Sequence, residues 1–167
     1  MPATRNVTRL ISPHPIDMTP TAQAVLVGGT AVAILDGIAA TIDFRMHGVS
    51  FARLWQVVAS GALGPSSFQS GNASVLLGLG FHVLIATTAA LVFNVASSYA
   101  PALVAHYVIF GVLYGLVVFA VMNLVVAPLS ALPPRPFSLA GTVRQILIHI
   151  VCVGLPISIT AYWFATK

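Results

Sequence analysis

Four stretches of the chain are apolar over more than twenty residues each, at about 22–42, 74–96, 102–127 and 142–164. A helix crosses the hydrocarbon core of a bilayer with about 20 apolar residues. The 167 residues include only seven Lys or Arg and three Asp, whereas roughly a quarter of the residues of a soluble domain are charged. Because so few charges cannot cover a surface exposed to water, we predict an all-α fold, an integral membrane four-helix bundle.

The segments outside these spans predict no second globular domain. Residues 1–20 contain four prolines and predict an irregular N-terminal tail, so that residues 21–167 form a single transmembrane domain. Residues 128–136 also contain four prolines and predict an extended loop, since proline cannot continue a helix. Pro156 lies inside the fourth span and predicts a kink or a loosened turn there. Four spans place both termini on the same side of the membrane, and the basic residues, three on one side and four on the other, do not decide which side.

The connection between the first two spans contains a short amphipathic segment at about 51–62. Its apolar residues recur at helical spacing, and Arg53 lies on the opposite face. This pattern is typical of a helix that lies in the membrane interface. We predict that Arg53 and Trp55 anchor the helix there, because tryptophan favours the boundary between lipid and water.

Several polar side chains fall inside the predicted spans, where they are costly. An unpaired Asp near the middle of a membrane costs about 2.5–3.5 kcal/mol, so we expect Asp36 to be paired, protonated or in contact with water. At a rise of about 1.5 Å per residue, a polar layer is predicted near the side of the two arginine-containing loops. Its members are Asp36, His82, Asn123, Gln145 and His149. Asn94 and His106 are predicted to form a second, smaller layer near the opposite side.

Small residues follow the same helix faces as these polar groups. On the second span, positions 74, 78, 82, 86, 90 and 94 form one stripe of small and polar residues. Such stripes are where transmembrane helices approach each other closely. We predict helix-packing contacts at Gly29, Gly37, Gly78, Gly111 and Gly115.

Three roles are open for the polar layer. Its members can satisfy one another and fix the register of the helices, as a buried Asn does in coiled coils; this is the favoured interpretation. Asp36 and the two histidines can instead carry protons or ions. Alternatively, His82 and His149 can ligate a metal ion or haem b.

The most recognisable motifs occur in the last three spans. They are GVLYGLVVFAVMNLVVAPLSALP at 111–133 with the preceding His106, FHVLIATT at 81–88 and IHIVCVGLPI at 148–157. In these motifs the chain resembles uncharacterised bacterial inner-membrane proteins of the YagU-like group. The resemblance implies a location in the bacterial inner (plasma) membrane and transfers no catalytic residues.

We therefore expect a non-enzymatic multi-pass protein, an accessory or scaffolding subunit of a membrane complex. No nucleophile motif or phosphate-binding loop occurs in the sequence, which predicts no catalytic residues and no bound cofactor. The seven basic residues form no cluster, which argues against nucleic acid as a partner. The expected partners are the lipid bilayer and other membrane subunits or a second copy. The alternatives are a small transporter or proton-conducting protein and a haem- or metal-binding redox protein.

Overall fold

The computed structural model describes residues 18–132 and 137–167, and the predicted tail lies almost entirely outside these residues. The described part is built from helices and contains no strand. In chain order the helices are α1 (Met18–Met46), α2 (Phe51–Leu63), α3 (Gly71–Tyr99), α4 (Ala102–Ala105), α5 (Tyr107–Val121), α6 (Ala127–Leu129), α7 (Leu139–Ile148) and α8 (Leu155–Ala165). A 3-10 turn follows α2, and π-helical turns join α5 to α6 and α7 to α8.

Four helical segments are long and apolar enough to cross a membrane. They are the first span (Pro20–Met46), the second (Gly71–Tyr99), the third (Tyr107–Leu129) and the fourth (Leu139–Ala165). The predicted all-α bundle of four spans is confirmed. Between 11% and 28% of the most apolar part of each span is buried within the chain, so most apolar side chains face outward. The chain is a multi-pass membrane protein.

Two segments that were predicted to be irregular are partly helical in the structure. The first helix begins at Met18, which makes the last three residues of the predicted irregular tail helical. Pro128 was predicted to lie in an extended loop, but it lies in α6. That prediction is wrong because a proline near the start of a helical segment needs no N–H donor and already has a helical φ.

Pro128 of the third span and Pro156 of the fourth each follow a widened helical turn. The π-helical turn Met122–Val126 ends with the N–H of Ala127 donating to the carbonyl of Met122, immediately before Pro128. The turn His149–Gly154 ends with the N–H of Leu155 donating to the carbonyl of Ile150, immediately before Pro156. A proline ring clashes with the carbonyl four residues earlier in a regular helix. The wider turn avoids this clash. The sequence predicted a kink or a loosened turn at Pro156, and the structure has a loosened turn there.

The first and fourth spans lie at the centre of the bundle. Helix α1 packs against both α3 and α8. Helix α5 packs against α8 and against the π-helical turn that precedes α8. The apolar core between them consists of Val25, Val32, Ala86, Ala90, Phe93, Val153, Ile157 and Ala161. The second and third spans touch through large side chains: the Tyr114 hydroxyl donates to the carbonyl oxygen of Ala89 at 2.7 Å.

Glycines allow the helix backbones to cross in direct contact. A Cβ at Gly154 would overlap the backbone of Gly111 and Gly115, and a Cβ at Gly78 would overlap the backbone carbonyl of Trp55. The other two predicted packing glycines also face the second span, Gly29 against the backbone of Thr87 and Gly37 against the side chain of His82.

Helix α2 packs against the bundle through its apolar face. The side chain of Ser50 caps the helix by accepting a hydrogen bond from the N–H of Arg53. The Arg53 guanidinium lies 3.7 Å from the centre of the Phe68 ring. Trp55, however, is only 3% exposed. The prediction that Trp55 anchors the helix at the interface is therefore wrong, because Gly78 opens a groove on α3 that draws α2 and its tryptophan inward.

Candidate functional site

The central polar feature of the bundle is a pair formed by Asp36 of the first span and His82 of the second. The Nδ1 atom of His82 lies 3.9 Å from Oδ2 of Asp36. The Nε2 atom lies 3.0 Å from the carbonyl oxygen of Ala33, one turn earlier on α1. The side chain of Asp36 is 20% exposed, and that of His82 is 15% exposed. The predicted layer thus contains one direct contact between an acid and a histidine on different spans.

The hydrogen bond to Ala33 determines what this pair can do chemically. A carbonyl oxygen only accepts, so Nε2 of His82 must carry a proton. In the neutral ring Nδ1 then presents a lone pair toward Asp36, which is unfavourable beside an ionised carboxylate. Either a protonated Asp36 or an imidazolium ring removes this conflict. The two groups therefore face each other across 3.9 Å as an acid and an imidazole, without a hydrogen bond between them.

Trp55 and Gly37 enclose the histidine. The ring centres of Trp55 and His82 are 5.1 Å apart, and the rings are inclined by 58°. A Cβ at Gly37 would lie 3.3 Å from Nε2 of His82, so a larger residue would press on the ring. Trp55 Nε1 is buried and has no hydrogen-bond partner within the described residues. The pair is thus shielded by an indole ring that the sequence had placed at the membrane surface.

A second polar cluster lies two turns further along α1, and its centre is Asp43. This residue is 8% exposed. Its Oδ1 lies 2.5 Å from Nε of Arg144, and Nε2 of Gln145 donates to its Oδ2 at 3.2 Å. The Arg144 contact lacks hydrogen-bond geometry and is therefore an ion pair. The cluster ties the first span to the fourth.

Sequence reasoning missed Asp43 because the predicted first span ended at residue 42. The helix continues to Met46, which brings Asp43 into the bundle. Asp36 and Asp43 are seven residues apart, the same spacing that joins Gly29 to Asp36. Since seven residues are about two helical turns, this spacing was the signal that both acids share one face.

The predicted five-residue layer is not one cluster in the structure. Gln145 binds Asp43 rather than Asp36. The Nδ1 atom of His149 lies 2.8 Å from the carbonyl oxygen of Gln145 in its own helix. The ring centres of His149 and Phe119 are 5.6 Å apart, and the two rings meet edge to face. Asn123 lies on the exposed outer face of the third span. Depth alone put these residues at one level, but it did not say which face each occupies.

His82 and His149, the alternative metal or haem ligands, pack against different residues, His82 against Trp55 and His149 against Phe119. One ring nitrogen of each histidine is hydrogen-bonded to a backbone carbonyl oxygen, that of Ala33 on α1 for His82 and that of Gln145 on α7 for His149. Across residues 18–132 and 137–167, no three His, Cys, Asp or Glu side chains are grouped to hold a metal ion.

At the opposite end of the bundle the structure separates the second predicted pair. Asn94 is 5% exposed and donates to the carbonyl of Ala90 at 2.8 Å. It lines a cavity of about 150 Å³ together with Thr21, Ser97 and Ser98. His106 is exposed between α4 and α5 and is not among the residues that line this cavity.

Aromatic residues collect at this same end. The rings of Tyr107 and Tyr162 stack with their centres 4.5 Å apart. The ammonium group of Lys167 lies 3.2 Å from the centre of the Trp163 ring. Tyrosine, tryptophan and lysine in such groups are typical of the boundary between lipid and water, so these residues mark one membrane surface of the bundle.

Comparison with known proteins adds no further constraint on these sites. No protein-family model, no curated protein and no solved structure matches the chain.

Proposed function

We propose that this protein is a non-enzymatic accessory or scaffolding subunit of a complex in the bacterial inner membrane, with both termini on the same side. One observation carries the proposal: the two acidic side chains of the first span contact polar side chains of the second and the fourth span. Asp36 faces His82, and Asp43 faces Arg144 and Gln145.

Such contacts account for the polar residues without a substrate. Burying a charge without a partner is costly in a membrane, and paired groups fix which helix faces meet. The two acids of α1 bind the second and the fourth span, respectively. The pairs therefore specify the order and register of the central helices.

The proposal is tested by purifying a tagged copy from native membranes in a mild detergent and identifying what accompanies it. We expect stoichiometric recovery of at least one membrane protein, or of untagged copies of the chain. The matched control is Gly80→Val, since nothing lies within 4 Å of a Cβ at Gly80, and it should retain the same partners. A pure monomer in both samples would contradict a scaffolding role.

A second candidate function is proton conduction, which the geometry of the Asp36 pair favours. Carboxyl and imidazole groups can both bind and release protons, the two lie 3.9 Å apart, and neither side chain is fully buried. Reconstituted vesicles with a pH gradient and a pH-sensitive dye test this candidate. Conduction predicts a flux that Asp36→Asn abolishes and that Thr88→Val, at an exposed position of the second span, leaves intact. Equal leakage from empty vesicles and from vesicles with either protein would exclude conduction.

A further inference from the structure

Asn123 is an amide on the outer surface of a spanning helix. It is exposed, and the neighbouring apolar side chains Leu116, Leu124 and Val125 are 36%, 75% and 47% exposed. Asn123 lies six residues before Leu129, where the third span ends, which corresponds to roughly 9 Å along the helix. The side chain therefore faces the hydrocarbon region, where an amide without partners is unfavourable.

Only part of the hydrogen-bonding capacity of this amide is used. Its Nδ2 donates to the carbonyl oxygen of Phe119 at 2.9 Å. An asparagine amide has two N–H donors and an oxygen with two acceptor positions. Within the described residues, the amide makes no other hydrogen bond. One N–H donor and the side-chain oxygen are therefore available to a partner on this face.

The backbone beside Asn123 adds another acceptor. In the π-helical turn Met122–Val126, the N–H of Ala127 donates to the carbonyl of Met122. The next carbonyl, that of Asn123, would receive the N–H of residue 128 in the same pattern. Residue 128 is proline and has no N–H to donate. The backbone carbonyl and the side-chain amide of Asn123 thus place two polar groups at the widened turn.

This part of the third span is also left uncovered by the rest of the chain. Neither Met122–Val126 nor Ala127–Leu129 contains a buried residue. In the fourth span, by contrast, the corresponding π-helical turn buries Val153 and Gly154. One widened turn is thus packed inside the bundle, and the other is presented outward.

We propose that the outer face of the third span around Asn123 binds a second copy of this chain, with the two Asn123 side chains hydrogen-bonded to each other. An amide is both donor and acceptor, so it is complementary to itself. A two-fold axis places identical residues opposite one another, and this symmetry satisfies both amides at once. The inference deepens the proposed scaffolding role, on which it rests, by naming a second copy as the partner.

The test is single-molecule photobleaching of labelled protein in liposomes of bacterial lipids at low protein density. We expect two-step bleaching for the unaltered chain and for Asn123→Gln, which keeps the amide. Asn123→Leu should weaken dimerisation about tenfold, the effect of losing interhelical hydrogen bonds in a membrane. The control Thr88→Leu removes an exposed polar group from the second span and should leave the dimer unchanged.

Cysteine cross-linking locates the interface independently of Asn123. In a Cys152→Ser background, Leu116→Cys lies two turns before Asn123 on the exposed side and should form a disulfide-linked dimer on oxidation. Leu91→Cys, exposed on the second span, should not. A monomeric unaltered chain, an Asn123→Leu dimer of full strength, or cross-linking at Leu91→Cys alone would each overturn the inference.

These outcomes are separate from those of the scaffolding test. A monomer that still recovers other membrane proteins would overturn self-association and leave the scaffolding role standing. A dimer that depends on Asn123 but recovers no other protein supports self-association and restricts the scaffold to copies of this chain. If the Asn123 face instead captures a different protein in place of a second copy, the inference is wrong.

Discussion

The first and the third spans use their polar residues in opposite ways. In the most apolar part of the first span 28% of the residues are buried. The two acids of this span, Asp36 and Asp43, contact other spans. In the third span only 11% are buried, and Asn123 points outward. Lipid solvates both helices equally well along their apolar faces, so the difference lies in where the polar groups find partners.

This contrast separates residues that hold the chain together from residues that are available to something else. A paired group such as Asp43 is satisfied before any partner arrives, and its loss should cost stability. An outward amide such as Asn123 adds little to the fold and should matter for association. Three substitutions, given from the largest expected effect to the smallest, and a double-mutant cycle test this account.

Gly154→Val should be the most disruptive substitution in the central packing. A Cβ there would overlap the backbone of Gly111 and Gly115, and the third span would have to move away from the fourth. Forcing extra volume into a packed contact costs up to about 3 kcal/mol. SDS titration followed by circular dichroism measures the loss. Gly80→Val, with open space around its Cβ, should change the unfolding free energy by less than about 0.5 kcal/mol.

Arg144→Leu should have the next largest effect, since it leaves the buried Asp43 with Gln145 and the exposed His47 but without its arginine. Removing one partner of a fully buried pair costs about 3–5 kcal/mol. The Arg144 side chain is 38% exposed, so we expect about 2 kcal/mol. The matched control Arg45→Leu, at an exposed position of α1, should be nearly neutral. If both arginine variants lose the same stability, net charge rather than the ion pair is responsible.

Asn123→Leu should have the smallest effect on the fold, less than about 0.5 kcal/mol in the unfolding free energy of the monomer. The residue is exposed and its one hydrogen bond returns to its own helix. A loss as large as that of Arg144→Leu would show that Asn123 supports the bundle itself, and the contrast between the spans would disappear.

The sequence predicts those features that depend on length, hydropathy and depth. Four spans follow from apolar runs, and a common layer for Asp36 and His82 follows from equal depth on faces that carry small residues, although depth does not say which histidine Asp36 contacts. The burial of Trp55 could not be predicted, because it depends on the tertiary groove at Gly78. Asn123 was misplaced because depth does not define a face, and Asp43 because the helix end was set four residues too early. In each case a long-range contact or a helix boundary decided the outcome.

The most direct test of this account is a double-mutant cycle on Asp36 and His82, measured as unfolding free energies in bilayer discs. If the pair holds the first two spans together, Asp36→Asn and His82→Gln should each destabilise the protein, and their combined effect should fall short of the sum by about 1 kcal/mol. The same cycle between Asp36→Asn and Thr88→Val should be additive. Additive effects for Asp36 and His82, or no loss of stability in either single variant, would contradict the claim that the polar residues of the first span serve the fold.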